Sequence, residues 1–486
     1  MRVAALIVAL SGWAVALWIF LARDEQPRSS SQAPEMGAND GDPRPTGGGR
    51  PYSEPPLAEV FREWSADPAL AGALVAFCLL HEDGHPLFAS PLADSALCPA
   101  SSLKTVTTAA ALEILGPDFH FDTLLLSDAE ISPAGVIDGN LQLLGSGDPT
   151  LSSSDLEGLV DEVIKAGLKQ INGTLQIDGA DFREPPANDH WNWGDLGNAY
   201  GAGAYGFNLD HNRIVLRFRP GAGEGEPASL LNPKVATQDT RWINEVFTGP
   251  PGTGDRVVVY SEPYGRTIRL RGSVPLGEGD FPVNAALPDP PARVRELLEA
   301  RLAAAGVRTL GRAVPVQSGM VIHATHESAK LPEIIDHLHK VSDNLEAQCL
   351  FLTLGSQNRT DPDAAYTLVK HWQSRGVNFT GLRLIDGSGL ARANMIRPLD
   401  LARVNHLARR GPHGERFRQS LTSYLGGKVR SKLGAMSGVK TEVGFLTLDD
   451  GREVTFALMA NGLGLDVDFW PLREKLLRGV ASKLTR

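Results

Sequence analysis

A serine and a lysine three residues apart, Ser101 and Lys104, stand at the head of a helical run from Thr105 to Leu115. Residues i and i+3 share a helix face, so the amine comes within reach of the hydroxyl. A neutral amine there can take the serine proton and leave a nucleophile. The pattern is weak alone, because an exposed helix start with a solvated lysine has the same letters and Ser437 to Lys440 repeats the spacing. Two later stretches complete a constellation: Ser342-Asp343-Asn344, entering a helical stretch from Leu345 to Leu354, and Lys432-Leu433-Gly434, before an apolar strand-like region. Ser356-Gln357-Asn358 imitates the second stretch, and Ser or Asn at a helix start is most often a cap. The order of the three carries more than any one of them.

The elements that must hold these residues apart or together can be read around them. The run Ala73 to Leu80, the turn Glu82-Asp83-Gly84-His85 and the return Pro86 to Ser90 predict a hairpin. The serine helix ends at Gly116-Pro117, a stop signal. From about Phe121 the texture becomes short strands with Gly-rich turns, such as Leu141 to Leu144 and Thr174 to Ile177. Leu156, Leu159, Val160, Val163 and Ile164 predict one interrupting helix. Helical texture returns at Asp289-Pro290-Pro291, where Val294, Leu297, Leu298 and Leu302 share a face and Gly306 closes the helix. Val443 to Leu448 and Val454 to Met459 are β runs joined by Asp449-Asp450-Gly451, and Phe469 to Leu484 is a final amphipathic helix.

At 486 residues the chain is too long for one core. Val3 to Ala22 is almost wholly apolar and reads as a signal anchor or a signal peptide, within a segment 1–23. Either form predicts that the remainder lies outside the cytoplasm, periplasmic or facing the cell wall, with the membrane touched by this segment only. Residues 24–56, rich in Pro, Gly and Ser, read as a flexible linker. Folded sequence begins near Leu57, and hairpins and helices at both ends suggest one domain from 57–124 and 286–486, with mostly β inserted domain(s) at 125–285.

A net charge of −10 excludes the basic face that a nucleic-acid partner needs. The three cysteines, Cys78, Cys98 and Cys349, have long spacings and form neither a disulfide framework nor a zinc site, and read as buried apolar residues with a Cys78–Cys98 bridge left open. His323, His326, His337 and His339 lie close in sequence but lack a His-Glu-x-x-His pattern, so they read as surface or core histidines. No metal and no cofactor is expected. No Gly-x-Ser-x-Gly elbow and no phosphate loop occurs.

Ser-x-x-Lys, Ser-Asp-Asn and Lys-Thr-Gly in this order are the signature of penicillin-binding proteins and class A β-lactamases. The sequence resembles the class C low-molecular-mass penicillin-binding proteins, the D-alanyl-D-alanine carboxypeptidase/endopeptidases, from about residue 57 onward. Further landmarks are Gly145-Ser146-Gly147-Asp148-Pro149-Thr150-Leu151, Trp193-Gly194-Asp195-Leu196-Gly197 with Tyr200-Gly201-Ala202, Asp386-Gly387-Ser388-Gly389-Leu390 with Arg392 and Asn394, and the Gly444-Phe445 to Asn461-Gly462 hairpin region. The resemblance implies an α/β (α+β) fold: a penicillin-binding/serine β-lactamase-like transpeptidase domain, its antiparallel sheet flanked by helices, plus inserted mostly β domain(s).

It also implies roles. Ser101 would be the nucleophile and Lys104 its base, lowered in pKa by burial and by Lys432 as a second cation. Ser342 would relay a proton to the leaving amine, and Asn344 would hold the substrate amide. Backbone N–H groups of Ser101 and Ala435 would hold the oxyanion. Gly434 would let the strand approach the substrate, and Arg392 would face its terminal carboxylate. Asp178 matches a position near the site mouth where some members meet the free amine of the peptide's diamino acid, although an aspartate in a turn is the plainer reading. Substrates would be peptidoglycan stem peptides, and β-lactams would be inhibitors.

One place departs from the family pattern. Leu433 and Ala435 stand where the family carries hydroxyls that bond the terminal carboxylate. Losing two such bonds to a charged group costs on the order of 3–6 kcal/mol if nothing replaces them. Three readings follow: a D,D-peptidase that favours crosslinks over free termini, a weakened homologue that binds peptidoglycan or a partner, and a β-lactamase-like hydrolase with fast deacylation.

Overall fold

The computed structural model describes residues 55–484, apart from 181, 183, 234–236, 238, 313–319 and 358–362. The apolar segment 3–22 and nearly all of the 24–56 stretch lie outside the described residues. Pro55 and Pro56, at the end of that stretch, instead begin a helix, Pro55–Ser65, because proline suits the first helical turn. Among the described residues no helix is long and apolar enough to cross a membrane.

An antiparallel six-stranded sheet carries the site. Its strands run in the order Thr422–Tyr424, Val429–Met436, Val439–Thr447, Glu453–Asn461, Leu74–Leu80, Pro86–Ala89, so strands from both ends of the chain meet at its centre. Leu74–Leu80 is apolar throughout, and from Ala76 onward both of its faces are covered. Ala76, Cys78 and Leu80 point into a core with helices Lys104–Ile114, Asn344–Ser356 and Pro398–Arg410. Phe77 and Leu79 point the other way, into a core with the first helix and the last, Phe469–Leu484. The turn between Val439–Thr447 and Glu453–Asn461 holds Gly451 at φ 87°, the left-handed conformation that favours glycine. All three cysteines are buried free thiols, so the Cys78–Cys98 bridge does not form.

Two further cores lie between Asp122 and Glu327. The first packs helices Ser153–Lys165 and Pro290–Ala304 on a four-stranded sheet in the order Val321–Glu327, Asp122–Ser127, Leu141–Gly145, Leu175–Asp178. The second fills the space between two three-stranded sheets through Leu216, Phe218, Val246, Val259 and Leu270. The sequence reading ended the insertion at 285. The helix Pro290–Ala304 and the strand Val321–Glu327, however, pack with the inserted elements, the strand by pairing with Asp122–Ser127. Helical texture at 290 marks a helix but not the core that buries its apolar face, and strand pairing across nearly 200 residues leaves no local mark.

Candidate active site

The chain approaches Ser101 through a short 3-10 turn, Ala100–Leu103, which passes directly into the helix Lys104–Ile114. Ala100 has φ 46°, a strained value for a residue with a side chain. Gly389 explains how the turn is held: a Cβ at that position would fall 2.0 Å from the Ala100 carbonyl oxygen. Gly434 presses from the neighbouring strand, where a Cβ would meet Thr441 Oγ1 at 2.2 Å and the Pro99 oxygen and Ser102 nitrogen at 2.8 Å. The glycine expected to let the strand approach substrate thus also lets it approach the serine turn. Thr441, its partner in the ladder, donates to the Pro99 oxygen at 2.5 Å.

Lys104 is fully buried and its Nζ touches three oxygens: Ser101 Oγ at 3.0 Å, Asn344 Oδ1 at 2.5 Å and the Ser388 carbonyl at 2.7 Å. Burial, then the charge of Lys432, holds its pKa well below the ordinary lysine value, while the buried Asp386 and Asp343 pull partly the other way. Lys432, on the strand Val429–Met436, donates to Ser342 Oγ at 2.8 Å and to the Leu433 carbonyl at 2.8 Å. Desolvation lowers its pKa to about 8.

Ser342 sits between two helices, Leu331–Val341 and Asn344–Ser356, in left-handed backbone at φ 59°. Asp343 caps the second helix by accepting from the Glu346 N–H at 3.0 Å, so the cap role falls to Asp343 and the side chains on either side are free for the cleft. Asn344 Nδ2 donates to the Tyr200 carbonyl at 2.8 Å, which ties the loop after Trp193–Leu196 to this wall.

Ser101, Ser342, Asn344, Lys432, Ala435 and Arg392 line one cleft of about 700 Å³. Lys104 lies beneath it, bonded to Ser101 and Asn344. Arg392 is exposed and donates to the Ser437 carbonyl at 3.1 Å. Leu433 and Ala435 present methyl groups where hydroxyls were expected by resemblance. Asp178 is not in this constellation; it ends the strand Leu175–Asp178 and accepts from Gln142 Nε2. The carboxylate that does line the cleft is Asp195, held by Tyr200 OH and Asn192 Nδ2, both at 2.9 Å. The sequence signal for it was available, since Asp195 lies inside a Gly-flanked landmark, but spacing alone does not choose between two loop aspartates.

Sequence reasoning gave no role to Asp386. Its buried carboxylate accepts from the N–H groups of Ser388, Gly389 and Ala391 at 3.0, 2.6 and 2.7 Å and from Trp191 Nε1 at 2.8 Å. It thereby shapes the loop whose Ser388 carbonyl meets Lys104. His339 is a core histidine, between Thr108 Oγ1 and Ser420 Oγ, and burial with the two nearby lysines holds it neutral. Ser437 and Lys440 flank a strand turn rather than a helix start, so the second Ser-x-x-Lys has no helix face to share.

A serine whose oxygen meets a buried lysine of depressed pKa, under a sheet edge carrying a second lysine, defines the class of active-serine, penicillin-binding peptidases. Residues 57–469 match the D-Ala-D-Ala carboxypeptidase 3 (S13) family, and the chain belongs to that family of serine peptidases. A D-alanyl-D-alanine carboxypeptidase of Actinomadura sp. is 31% identical over 432 residues, 82% of this chain and 79% of that one. The D-alanyl-D-alanine carboxypeptidase DacB of Haemophilus influenzae is 26% identical over 438 residues, 85% of this chain and 90% of its own. The crystal structure of penicillin binding protein 4 from Haemophilus influenzae covers 88% of this chain and 99% of its own with a TM-score of 0.74 at 22% identity, so the fold is the same.

Proposed function

We propose that the cleft cleaves D-alanyl-D-alanine bonds of peptidoglycan stem peptides through an acyl-serine at Ser101. The observation that carries this is the surroundings of Lys104 Nζ. A neutral amine has two N–H donors and one lone pair. Asn344 Oδ1 and the Ser388 carbonyl can take the two donors, which turns the lone pair toward Ser101 Oγ. The serine proton then passes to Lys104 as the oxygen attacks the carbonyl carbon. The developing oxyanion is held by the backbone N–H groups of Ser101 and Ala435. Ser342, hydrogen-bonded to Lys432, passes a proton to the departing amine as the peptide bond breaks, and the proton that Lys104 took is relayed to Ser342 in its place, which leaves Lys104 neutral again. Water then attacks the acyl carbon, Lys104 takes its proton and returns it to Ser101 Oγ as the acyl bond breaks. β-Lactams enter the first half of this sequence and stop there.

Asn344 and the Tyr200 loop hold the substrate backbone, and the Asp195 carboxylate takes the ammonium group of the stem peptide's diamino acid. Leu433 and Ala435 leave the terminal carboxylate to Arg392, which favours crosslink cleavage over trimming of free termini. The apolar segment 3–22 supports a site of action outside the cytoplasm, anchored to the membrane or released from it. D-alanine release and crosslink cleavage from muropeptides test the proposal: wild type yields both products with crosslink cleavage dominant, and unchanged turnover in Ser101→Ala overturns it.

A further inference from the structure

Two turns in left-handed backbone meet through one ion pair. The first is Ser342, at φ 59° between the helices Leu331–Val341 and Asn344–Ser356. The second is the run Asp210, His211 and Asn212, at φ 50°, 53° and 50°, which leads into the inserted strand Arg213–Arg219. None of these is a glycine, so the run is strained and persists only where its surroundings fix it. Asn212 does much of the fixing. Its Oδ1 accepts from the Leu209 N–H at 2.9 Å, and its Nδ2 donates to the Gly203 carbonyl at 2.8 Å and to Asn208 Oδ1 at 2.7 Å. The Asp210 carboxylate accepts from the Ser153 N–H at 2.9 Å.

The strained run delivers Arg213 to the Ser342 turn. Arg213 Nη2 donates to Asp343 Oδ2 at 2.5 Å, and the Asp343 side chain is fully buried. The other Asp343 oxygen caps the helix Asn344–Ser356 through the Glu346 N–H. One carboxylate thus ties the inserted strand to the residue between Ser342 and Asn344. The neighbouring charges leave this pairing to Arg213. Burial, then the Asp343 charge, pushes Glu346 up to about 9, and its Oε1 bonds His337 Nδ1 at 2.7 Å. His211 Nδ1 lies 3.8 Å from Asp343 Oδ2, with its pKa lowered by burial. Lys104, which also feels the Asp343 charge, is held well below the ordinary lysine value.

We propose that Arg213 is a positioning residue for acyl transfer: through Asp343 it sets the turn that holds Ser342 against Lys432 and Asn344 against Lys104. This role rests on the peptidase reading of the cleft. Both contacts are single hydrogen bonds across the cleft, so a small shift of the turn breaks the proton path. Without Arg213 the buried carboxylate loses its cation, and the turn relieves that by moving. Arg213 itself does not line the cleft. It lies 130 residues from Asp343, so no spacing marks the pair in the sequence.

The test measures penicillin acylation by stopped-flow, well below the melting temperature of each variant. In Arg213→Met the rate constant at saturating penicillin falls about 10- to 100-fold. Arg213→Lys recovers most of the loss. The pair is a single Nη2 contact, with Nε buried and unpartnered among the described residues, so a charge and one donor suffice. Asp343→Asn keeps a helix cap but loses the pair, and the double variant is no slower than the slower single one. Wild-type acylation in Arg213→Met, no recovery in Arg213→Lys, or losses that multiply in the double variant would overturn the proposal. An arginine that only stabilises the fold lowers the melting temperature without this rescue or this non-additivity. Hydrogen exchange of residues 341–346 reads the turn without chemistry. Protection falls in Arg213→Met and returns in Arg213→Lys, while the helix Lys104–Ile114 keeps its own; unchanged protection also overturns the proposal. A wild type that penicillin never acylates contradicts the peptidase reading instead, and exchange then decides the positioning role alone.

Discussion

The two walls of the cleft differ in kind. One, formed by the serine turn and the Ser342 turn, is built of polar atoms that account for one another: Ser101, Lys104, Asn344, Ser388 and Tyr200 form a continuous hydrogen-bonded chain. The other, the strand Val429–Met436, keeps Lys432 and Gly434 but faces the cleft with Leu433 and Ala435. Bond breaking draws on both walls, since Lys432 of the strand bonds Ser342, whereas the side-chain positions expected to take a terminal carboxylate, Leu433 and Ala435, belong to the strand alone. Bond breaking depends on a buried cluster with little freedom to vary, carboxylate capture on two side chains at a solvent-exposed edge.

The largest effect expected from breaking this contrast is on the polar wall. Lys104→Ala removes the base and leaves Asn344 Oδ1 and the Ser388 carbonyl without their donor, so penicillin acylation measured by stopped-flow slows by at least about 10³-fold. The strand wall responds in the opposite direction. Leu433→Thr with Ala435→Thr restores two hydroxyls and raises kcat/KM on a pentapeptide with a free carboxylate about 10- to 100-fold, with a much smaller change on a crosslinked substrate. Equal gains on both substrates would remove the distinction between the walls.

The pH profile sharpens it further. In the proposed mechanism Lys104 acts as a neutral amine and Lys432 as a cation. Acylation therefore fails as pH falls through the depressed pKa of Lys104, and declines again above about 8 as Lys432 loses its proton. In Lys432→Leu the cation that helps depress Lys104 is gone, so the acid limb moves to higher pH while the alkaline limb disappears. The smallest effect is indirect. Trp191→Phe withdraws one donor from Asp386, costs about 1–3 kcal/mol of stability by thermal denaturation, and slows acylation only a few-fold by loosening the Ser388 loop.

How much was legible follows from how each residue reaches the site. Ser101 and Lys104 are neighbours on one turn, and Ser342 and Asn344 flank one helix cap, so local spacing carried them. Lys432 was legible only through motif order, since its meeting with Ser342 depends on packing between distant segments. Thr441 acts through a contact to the distant Pro99, and Asp386 takes Trp191 of the inserted segment as well as N–H groups of its own loop; Asp195 is held by Asn192 and Tyr200 beside it, and what no local pattern announces is that its loop reaches the cleft. Asp178 does not line the cleft; at the end of the strand Leu175–Asp178 its carboxylate accepts from Gln142. The six-stranded sheet was read well at its hairpins, where turn chemistry is local. The four-stranded inserted sheet was missed at Val321–Glu327, where a strand from beyond 125–285 returns to pair with Asp122–Ser127.

The most direct test of the central claim is intact-mass spectrometry of residues 24–486 during incubation with excess penicillin, with Ser101→Ala alongside. A single stable adduct on wild type and none on the variant is the expected result, because the polar wall is complete whatever the strand presents. No adduct at any time, with the penicillin left intact, would contradict the account and return the cleft to a binding role.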